Sequence, residues 1–175
     1  MFSKLYRYLI IVVCLLAMVF FFMKDDYLNM SMMLGAAVLL FFGHYRYGTV
    51  YEAFQHLKKE NYVKAEKLIN QIQKPEWLAK GQKSYFHFTK GVIAAQKDNL
   101  DLGFSELSKA LELGLRTEND TSIVLLNLAN IELERKNMKS AKAFITKVRS
   151  LNLKPGVLSE TNRIENEINE QSQVT

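Results

Sequence analysis

The chain has 175 residues, and 23 Lys and Arg against 18 Asp and Glu give it a net charge of +5. From residue 48 onward there are 19 basic and 16 acidic residues without dense clusters, which argues against a nucleic-acid-binding face. The only cysteine, Cys14, excludes an internal disulfide and with it a disulfide-stapled secreted scaffold.

The first predicted elements are two apolar blocks near the N-terminus. Residues 9–23 are uninterrupted apolar sequence, and a second block covers residues 28–43. An α-helix needs about 20 apolar residues to cross a bilayer. The blocks therefore predict two transmembrane helices, over about residues 5–23 and 27–47, which together form an N-terminal membrane anchor of residues 1–47.

Charged residues around the blocks predict how the anchor is processed and oriented. Lys4 and Arg7 precede the first block, as in a secretory signal peptide, but no small-residue cleavage site follows it. By the positive-inside rule, basic residues at the outer ends, with Asp25 and Asp26 in the connection, place both termini in the cytoplasm. The excess of lysine over arginine favours a bacterial plasma (inner) membrane, so we predict an integral protein of that membrane.

Small residues share one face of the second predicted helix. They are Ser31, Gly35 and Gly43, at spacings of four and eight residues. Such a stripe lets two helices approach closely, so we predict a packing role for it. Packing against the chain's own first helix is favoured, and self-association or docking on a membrane partner is the alternative.

From residue 48 onward the apolar periodicity is helical. It predicts seven helices, over residues 48–60, 63–73, 82–97, 100–114, 122–136, 138–152 and 159–171. The first six pair into three hairpins, each with a short polar turn. The turns lead into matching runs, NYVKAEKLI, NLDLGFSEL and NMKSAKAFI, whose asparagines are Asn61, Asn99 and Asn137. This spacing of 38 residues is typical of a row of helical hairpins.

The hairpins share small residues at matching positions of both helices, since a bulky residue would wedge two crossing helices apart. These are Ala53, Gly91 and Ala129 in the first helices, and Ala65, Gly103 and Ala141 in the second. In these features the sequence resembles the tetratricopeptide repeat (TPR) family, with a period longer than the family's roughly 34 residues. The resemblance implies an all-α fold: a short α-solenoid of about three TPR-like hairpins in residues 48–158. Residues 159–175 would form a capping helix and tail.

Sequence patterns of known chemistry are missing. There is no Gly-rich phosphate loop and no catalytic serine, zinc-protease or C-x-x-C motif. The three histidines, His44, His56 and His87, are far apart, and no Cys or carboxylate cluster joins them. We therefore predict no catalytic site, no metal site, no cofactor, no small-molecule substrate and no enzymatic activity.

In the TPR family, the first helices line a groove that binds a peptide or a helix. The resemblance implies a partner-binding groove made of Tyr51, Phe54, Phe88, Val92, Asn127 and Asn130. For the aromatic residues, ordinary packing between helices is the alternative. The predicted function is a membrane-anchored adaptor or scaffold that binds a protein partner at the cytoplasmic membrane surface. The alternative function is a structural accessory subunit of a larger integral membrane complex, held mainly through its transmembrane hairpin.

Overall fold

The computed structural model describes residues 4–47 and 49–173. The chain divides into two compact units, Met1–Gly48 and Thr49–Thr175. Within the described residues every regular element is helical, and no strand is present. The predicted all-α class is therefore confirmed for this part of the chain.

The first unit contains two helices, α1 (Lys4–Met23) and α2 (Tyr27–Tyr47), packed against each other. Asp25 takes a left-handed conformation in the short connection, with φ of 56°. The Asp26 carboxylate then accepts hydrogen bonds from the backbone N–H and the side-chain amide of Asn29, at 3.2 and 2.7 Å. These bonds satisfy donors that would otherwise be unpaired in the first turn of α2.

The structure contradicts the predicted transmembrane hairpin. Within the described residues, none of the helices combines the length and the apolar character that crossing a bilayer requires. The uninterrupted apolar run of residues 9–23 has 15 residues, and Asn29 and Ser31 interrupt the sequence of α2. About 20 consecutive apolar residues are needed. The finding overturns the predicted anchor and the predicted localisation as an integral protein of a bacterial inner membrane with both termini in the cytoplasm.

The small residues of α2 lie in different surroundings. The Ser31 hydroxyl donates to the backbone oxygen of Leu28 at 2.8 Å. A Cβ added at Gly35 would meet nothing within 4 Å, whereas the nearby Ala37 is buried. The surroundings of Gly43 lie outside what the structure describes. The packing role predicted for Ser31, Gly35 and Gly43 stays a prediction.

The second unit begins with six helices that pair in chain order. These are α3 (Val50–Leu57), α4 (Tyr62–Ile69), α5 (Lys80–Ala95), α6 (Leu100–Leu113), α7 (Glu118–Glu134) and α8 (Met138–Arg149). The pairs are α3 with α4, α5 with α6, and α7 with α8. Between pairs, α3 packs on α5, α5 on α7, and α6 on α7. The first helices of the three hairpins therefore lie side by side, and we call their shared surface the first-helix face.

Two helix starts lie four residues earlier than predicted. Helix α7 begins at Glu118 and not at residue 122, because the Thr117 side chain accepts from the N–H of Asp120 and caps the helix. The last helix, α9 (Pro155–Gln173), begins at Pro155 and not at residue 159. Proline suits a first helical position, where its missing N–H costs no hydrogen bond. A 3₁₀ turn at Pro75–Trp77 was not predicted.

The same type of backbone turn connects the two helices of each hairpin. The residue before each of the equally spaced asparagines has a left-handed conformation, with φ of 57° at Glu60, 58° at Asp98 and 60° at Lys136. The asparagine N–H then bonds back to the preceding helix, to His56, Ala94 and Glu132 respectively, at 2.8–3.0 Å. This is the Schellman pattern of a helix end. Each asparagine side chain also accepts from the third N–H of the next helix, so it caps that helix as well.

The small residues lie where the paired helices cross. Ala53, Ala65, Ala129 and Ala141 are fully buried. At Gly91 in α5, an added Cβ would lie 2.7 Å from Leu107 Cγ and 2.9 Å from the backbone nitrogen of Leu107 in α6. Atoms do not approach so closely without movement of the backbone. The close contact between α5 and α6 therefore requires glycine at this position.

Helix α9 covers the end of the row by packing on α7 and α8. Ile164 and Ile168 are buried in a core shared with α7 and α8. Its exposed side carries ion pairs from Arg163 to Glu160 and to Glu167, at 2.7 and 2.9 Å. One side of α9 is thus apolar and buried, and the other is charged and solvated.

We predict that Gly91→Ala destabilises the second unit by about 1–2 kcal/mol. The steric conflict with Leu107 costs about 1–3 kcal/mol and is partly offset by the better helix propensity of alanine. Gly81→Ala in the same helix is the matched control, because its added Cβ would have only ordinary contacts, at 3.8 Å to Arg116. Thermal unfolding followed by circular dichroism measures both. A Gly91→Ala variant as stable as Gly81→Ala would contradict the close crossing.

We predict that Glu60→Gly stabilises the protein by about 0.5–1 kcal/mol. A non-glycine residue in the left-handed region costs about 1–2 kcal/mol, and the greater chain entropy of glycine removes part of the gain. Lys59→Gly is the control, since the neighbouring residue is exposed and does not have a positive φ. Urea unfolding of the two variants should give shifts of opposite sign. Equal destabilisation by both would show that the Glu60 conformation carries no strain.

Candidate functional site

A pocket opens on the first-helix face, between α3, α5 and the start of α7. Its volume is about 170 Å³. It is lined by Tyr51, Phe54, Gln55, Lys58, Gln82, Tyr85, Arg116, Thr117 and Asp120. Sites for drug-sized molecules and cofactors typically measure about 300–1,000 Å³. The pocket is therefore of a size for one side chain and too small for a nucleotide or other large cofactor.

Aromatic rings form the apolar wall of the pocket. Phe54 and Tyr85 are buried and meet edge to face, with ring centroids 4.7 Å apart. Tyr51, one turn earlier on α3, is 49% exposed. This pairing places a rigid apolar surface at the pocket and leaves one tyrosine ring accessible to a ligand.

A buried hydrogen bond forms the polar wall. The Tyr85 hydroxyl donates to Asp120 Oδ2 at 2.6 Å and accepts from the backbone N–H of Arg116 at 3.3 Å. Burial and the bond to the Asp120 carboxylate raise the pKa of Tyr85 to about 12. The hydroxyl therefore stays protonated at neutral pH and joins α5 to the beginning of α7. Both its donor and its acceptor functions are used within the fold.

Two basic side chains border the pocket. Lys58 Nζ lies 4.5 Å from the centre of the Phe54 ring and 4.0 Å from Asp120 Oδ1. Arg116 is exposed, and its side chain lies beside Gly81 in the first turn of α5. The hydrogen bond from its backbone N–H to the Tyr85 hydroxyl holds the backbone of Arg116 next to α5. Lys58 therefore stands over an aromatic ring, and Arg116 borders the same pocket from the side of α5.

The structure separates the six predicted groove residues into three pairs. Tyr51 and Phe54 line the pocket. Phe88 and Val92 are buried in the core, and the Phe88 ring lies 5.3 Å from that of Phe54. The partner-binding role of these residues stays a prediction, but a direct contact with a ligand is available only to the pocket residues and the partly exposed ones.

The two predicted asparagines lie farther along α7 and do not line the pocket. The Asn127 amide donates to the backbone oxygen of Ile123 at 2.8 Å. Asn130 accepts from Arg163 of α9 at 3.3 Å. Both amides are partly exposed, and the Asn130 side chain bonds to Glu160 of α9 as well as to Arg163.

Several pocket residues were not predicted as functional, and Lys58, Tyr85, Arg116 and Asp120 are the most important. Arg116 and Thr117 fall in a connection between hairpins, which repeat matching does not cover. Tyr85 and Asp120 are separated by 35 residues. In the sequence, the feature that indicates a contact between them is that both lie near the starts of successive first helices.

A second polar cluster fastens α5 to α6. The buried Glu106 carboxylate contacts His87 at 2.6 Å, Lys109 at 3.3 Å and Lys90 at 3.4 Å. Burial alone would raise its pKa, but the bond to His87 and the charge of Lys90 lower the pKa of Glu106 to about 2. The carboxylate is thus ionised and fully paired, which fits a structural role. In residues 4–47 and 49–173 no group of His, Cys, Asp or Glu could hold a metal ion.

We predict that Tyr85→Phe destabilises the protein by about 1–3 kcal/mol, because Asp120 is left buried without its hydroxyl donor. The matched control is Tyr62→Phe, whose ring is partly buried in the same core. Thermal unfolding of the two variants gives the comparison. Equal stability of Tyr85→Phe and the wild type would show that the Tyr85–Asp120 bond contributes nothing to joining α5 and α7.

Comparisons of this chain with protein-family models, curated proteins and solved structures find no match.

Proposed function

We propose that the second unit is a TPR-like α-solenoid that binds a segment of a protein partner on its first-helix face, as an adaptor or scaffold. The observation that carries the proposal is the pocket of about 170 Å³ on this face, with its aromatic wall and charged rim. The role is one of binding, and the chain provides a surface that brings a partner into place.

The repeated hairpin supports the solenoid part of the proposal. Three hairpins share one turn geometry at intervals of 38 residues and pack on each other in chain order. A row of similar hairpins presents equivalent helices on one surface, and such extended surfaces commonly bind other proteins. The helix crossings depend on small residues, as the resemblance to the TPR family implies.

The chemistry of the pocket supports a protein ligand. Aromatic and Arg side chains are enriched where protein interfaces concentrate their binding energy. Here Tyr51 and Arg116 are both exposed beside one pocket. The volume suits a single anchoring side chain, while the surrounding first-helix face offers contact to the rest of a segment.

A peptide-binding experiment tests the proposal. The purified full-length chain is used to select from a phage library of random 16-residue peptides, and selected peptides are resynthesised for titration. We expect peptides with micromolar affinity, and we expect Tyr51→Ala with Gln55→Ala to weaken them about tenfold, since a contacted interface residue contributes about 1 kcal/mol or more. The control is Val63→Ala, an exposed residue of α4 outside the pocket.

Two results would contradict the proposal. One is a selection that enriches no peptide over a library passed over a blank surface. The other is a set of binders whose affinity falls with Val63→Ala and not with the pocket variant. Circular dichroism of each variant shows that the helices are retained, so that a loss of binding reports on the surface.

A further inference from the structure

We infer that the pocket on the first-helix face selects a partner segment by an acidic side chain, a glutamate or aspartate, held between Lys58 and Arg116. The inference rests on the proposed function and adds the chemical class of the anchoring residue. The occupant is an internal residue of the partner, and the apolar part of that residue lies against the aromatic wall.

The accessible charge of the pocket is positive. The Lys58 side chain is 48% exposed, whereas that of Asp120 is 7% exposed. Arg116 is exposed as well. Asp120 is already paired, because its Oδ2 accepts from Tyr85 and its Oδ1 faces Lys58. A ligand entering the pocket therefore meets two cations first and the hidden carboxylate last.

The two cations suit a carboxylate in different ways. The planar guanidinium of Arg116 can donate two parallel hydrogen bonds to a carboxylate, which gives directional recognition. The ammonium of Lys58 acts as a compact charge, and its place over the Phe54 ring limits where it can go. The methylene groups of a glutamate would then lie against Tyr51 and Phe54.

An internal residue fits better than the free end of a chain. A terminal carboxylate is usually held together with the neighbouring peptide group, which calls for further donors close by. The amides of Asn127 and Asn130 lie outside the pocket and bond to Ile123 and Arg163. The pocket itself holds the amides of Gln55 from α3 and Gln82 from α5, which can bond to the peptide groups that flank an internal acidic residue.

The test compares the sequences of peptides selected by three proteins. These are the wild type, the double variant Lys58→Gln with Arg116→Gln, and the control Lys59→Gln, which changes the neighbouring exposed lysine outside the pocket. Wild type and control should enrich the same peptides with an invariant acidic residue. Glu→Gln in such a peptide, amidated at its C-terminus, should weaken binding to the wild type about tenfold. The double variant should bind both forms equally.

A fourth protein, Asp120→Asn, tests whether a more positive pocket binds the acidic peptide more tightly. The substitution removes a negative charge that competes for Lys58, so it should strengthen binding of the acidic peptide severalfold. The asparagine amide keeps an oxygen that can accept from Tyr85, so the fold should be retained. Binding that requires a free C-terminal carboxylate, or that favours basic peptides and falls with Asp120→Asn, would overturn the inference. So would binders without any acidic preference, although they would leave the proposed function standing. Failure to select any peptide would count against the proposed function itself.

Discussion

In each hairpin of the second unit, one asparagine satisfies backbone groups of two helices at once. Its N–H completes the end of the first helix, and its side-chain oxygen caps the start of the second. Because the same residue takes part in both ends, the two helices must leave the turn at a nearly fixed angle. Everything downstream, from the helix crossings to the alignment of the first helices, depends on this constraint being repeated at Asn61, Asn99 and Asn137.

The fixed turns bring distant parts of the chain to one place. Tyr51, Tyr85 and Asp120 follow one another at intervals of 34 and 35 residues in sequence, yet they line one pocket because α3, α5 and α7 lie side by side. The close crossing at Gly91 and the paired carboxylate of Glu106 hold α5 against α6. Close packing and paired charges therefore hold the helices behind the pocket together, whereas the basic side chains of Lys58 and Arg116 at its mouth are exposed.

The periodicity of the sequence predicted the helices of the second unit well, because each hairpin has its own apolar pattern and turn signal. Helix starts at Glu118 and Pro155 were missed, since capping by Thr117 and a leading proline extend a helix beyond its apolar run. The membrane-spanning prediction for α1 and α2 was wrong, because apolar blocks were counted as full spans. On the aromatic side of the pocket, Tyr51 and Phe54 were placed by matching repeats, whereas Tyr85 was not. The charged side of the pocket could not be placed in this way, because Arg116 belongs to a connection that does not repeat.

The two sides of α9 have a consequence for assembly. A row of similar hairpins has an end that resembles its own interior, and such an end can accept another copy and grow into an open filament. Here Ile164 and Ile168 fill that position from within the chain, and the ion pairs of Arg163 lie along the flank of α9 next to Asn130 of α7. Among the described residues of α9 the exposed positions are mostly polar, with Leu158 as an apolar exception, as in the solvated cap of a helical repeat array. A further hairpin added at this end of the row would have to displace α9 from α7 and α8.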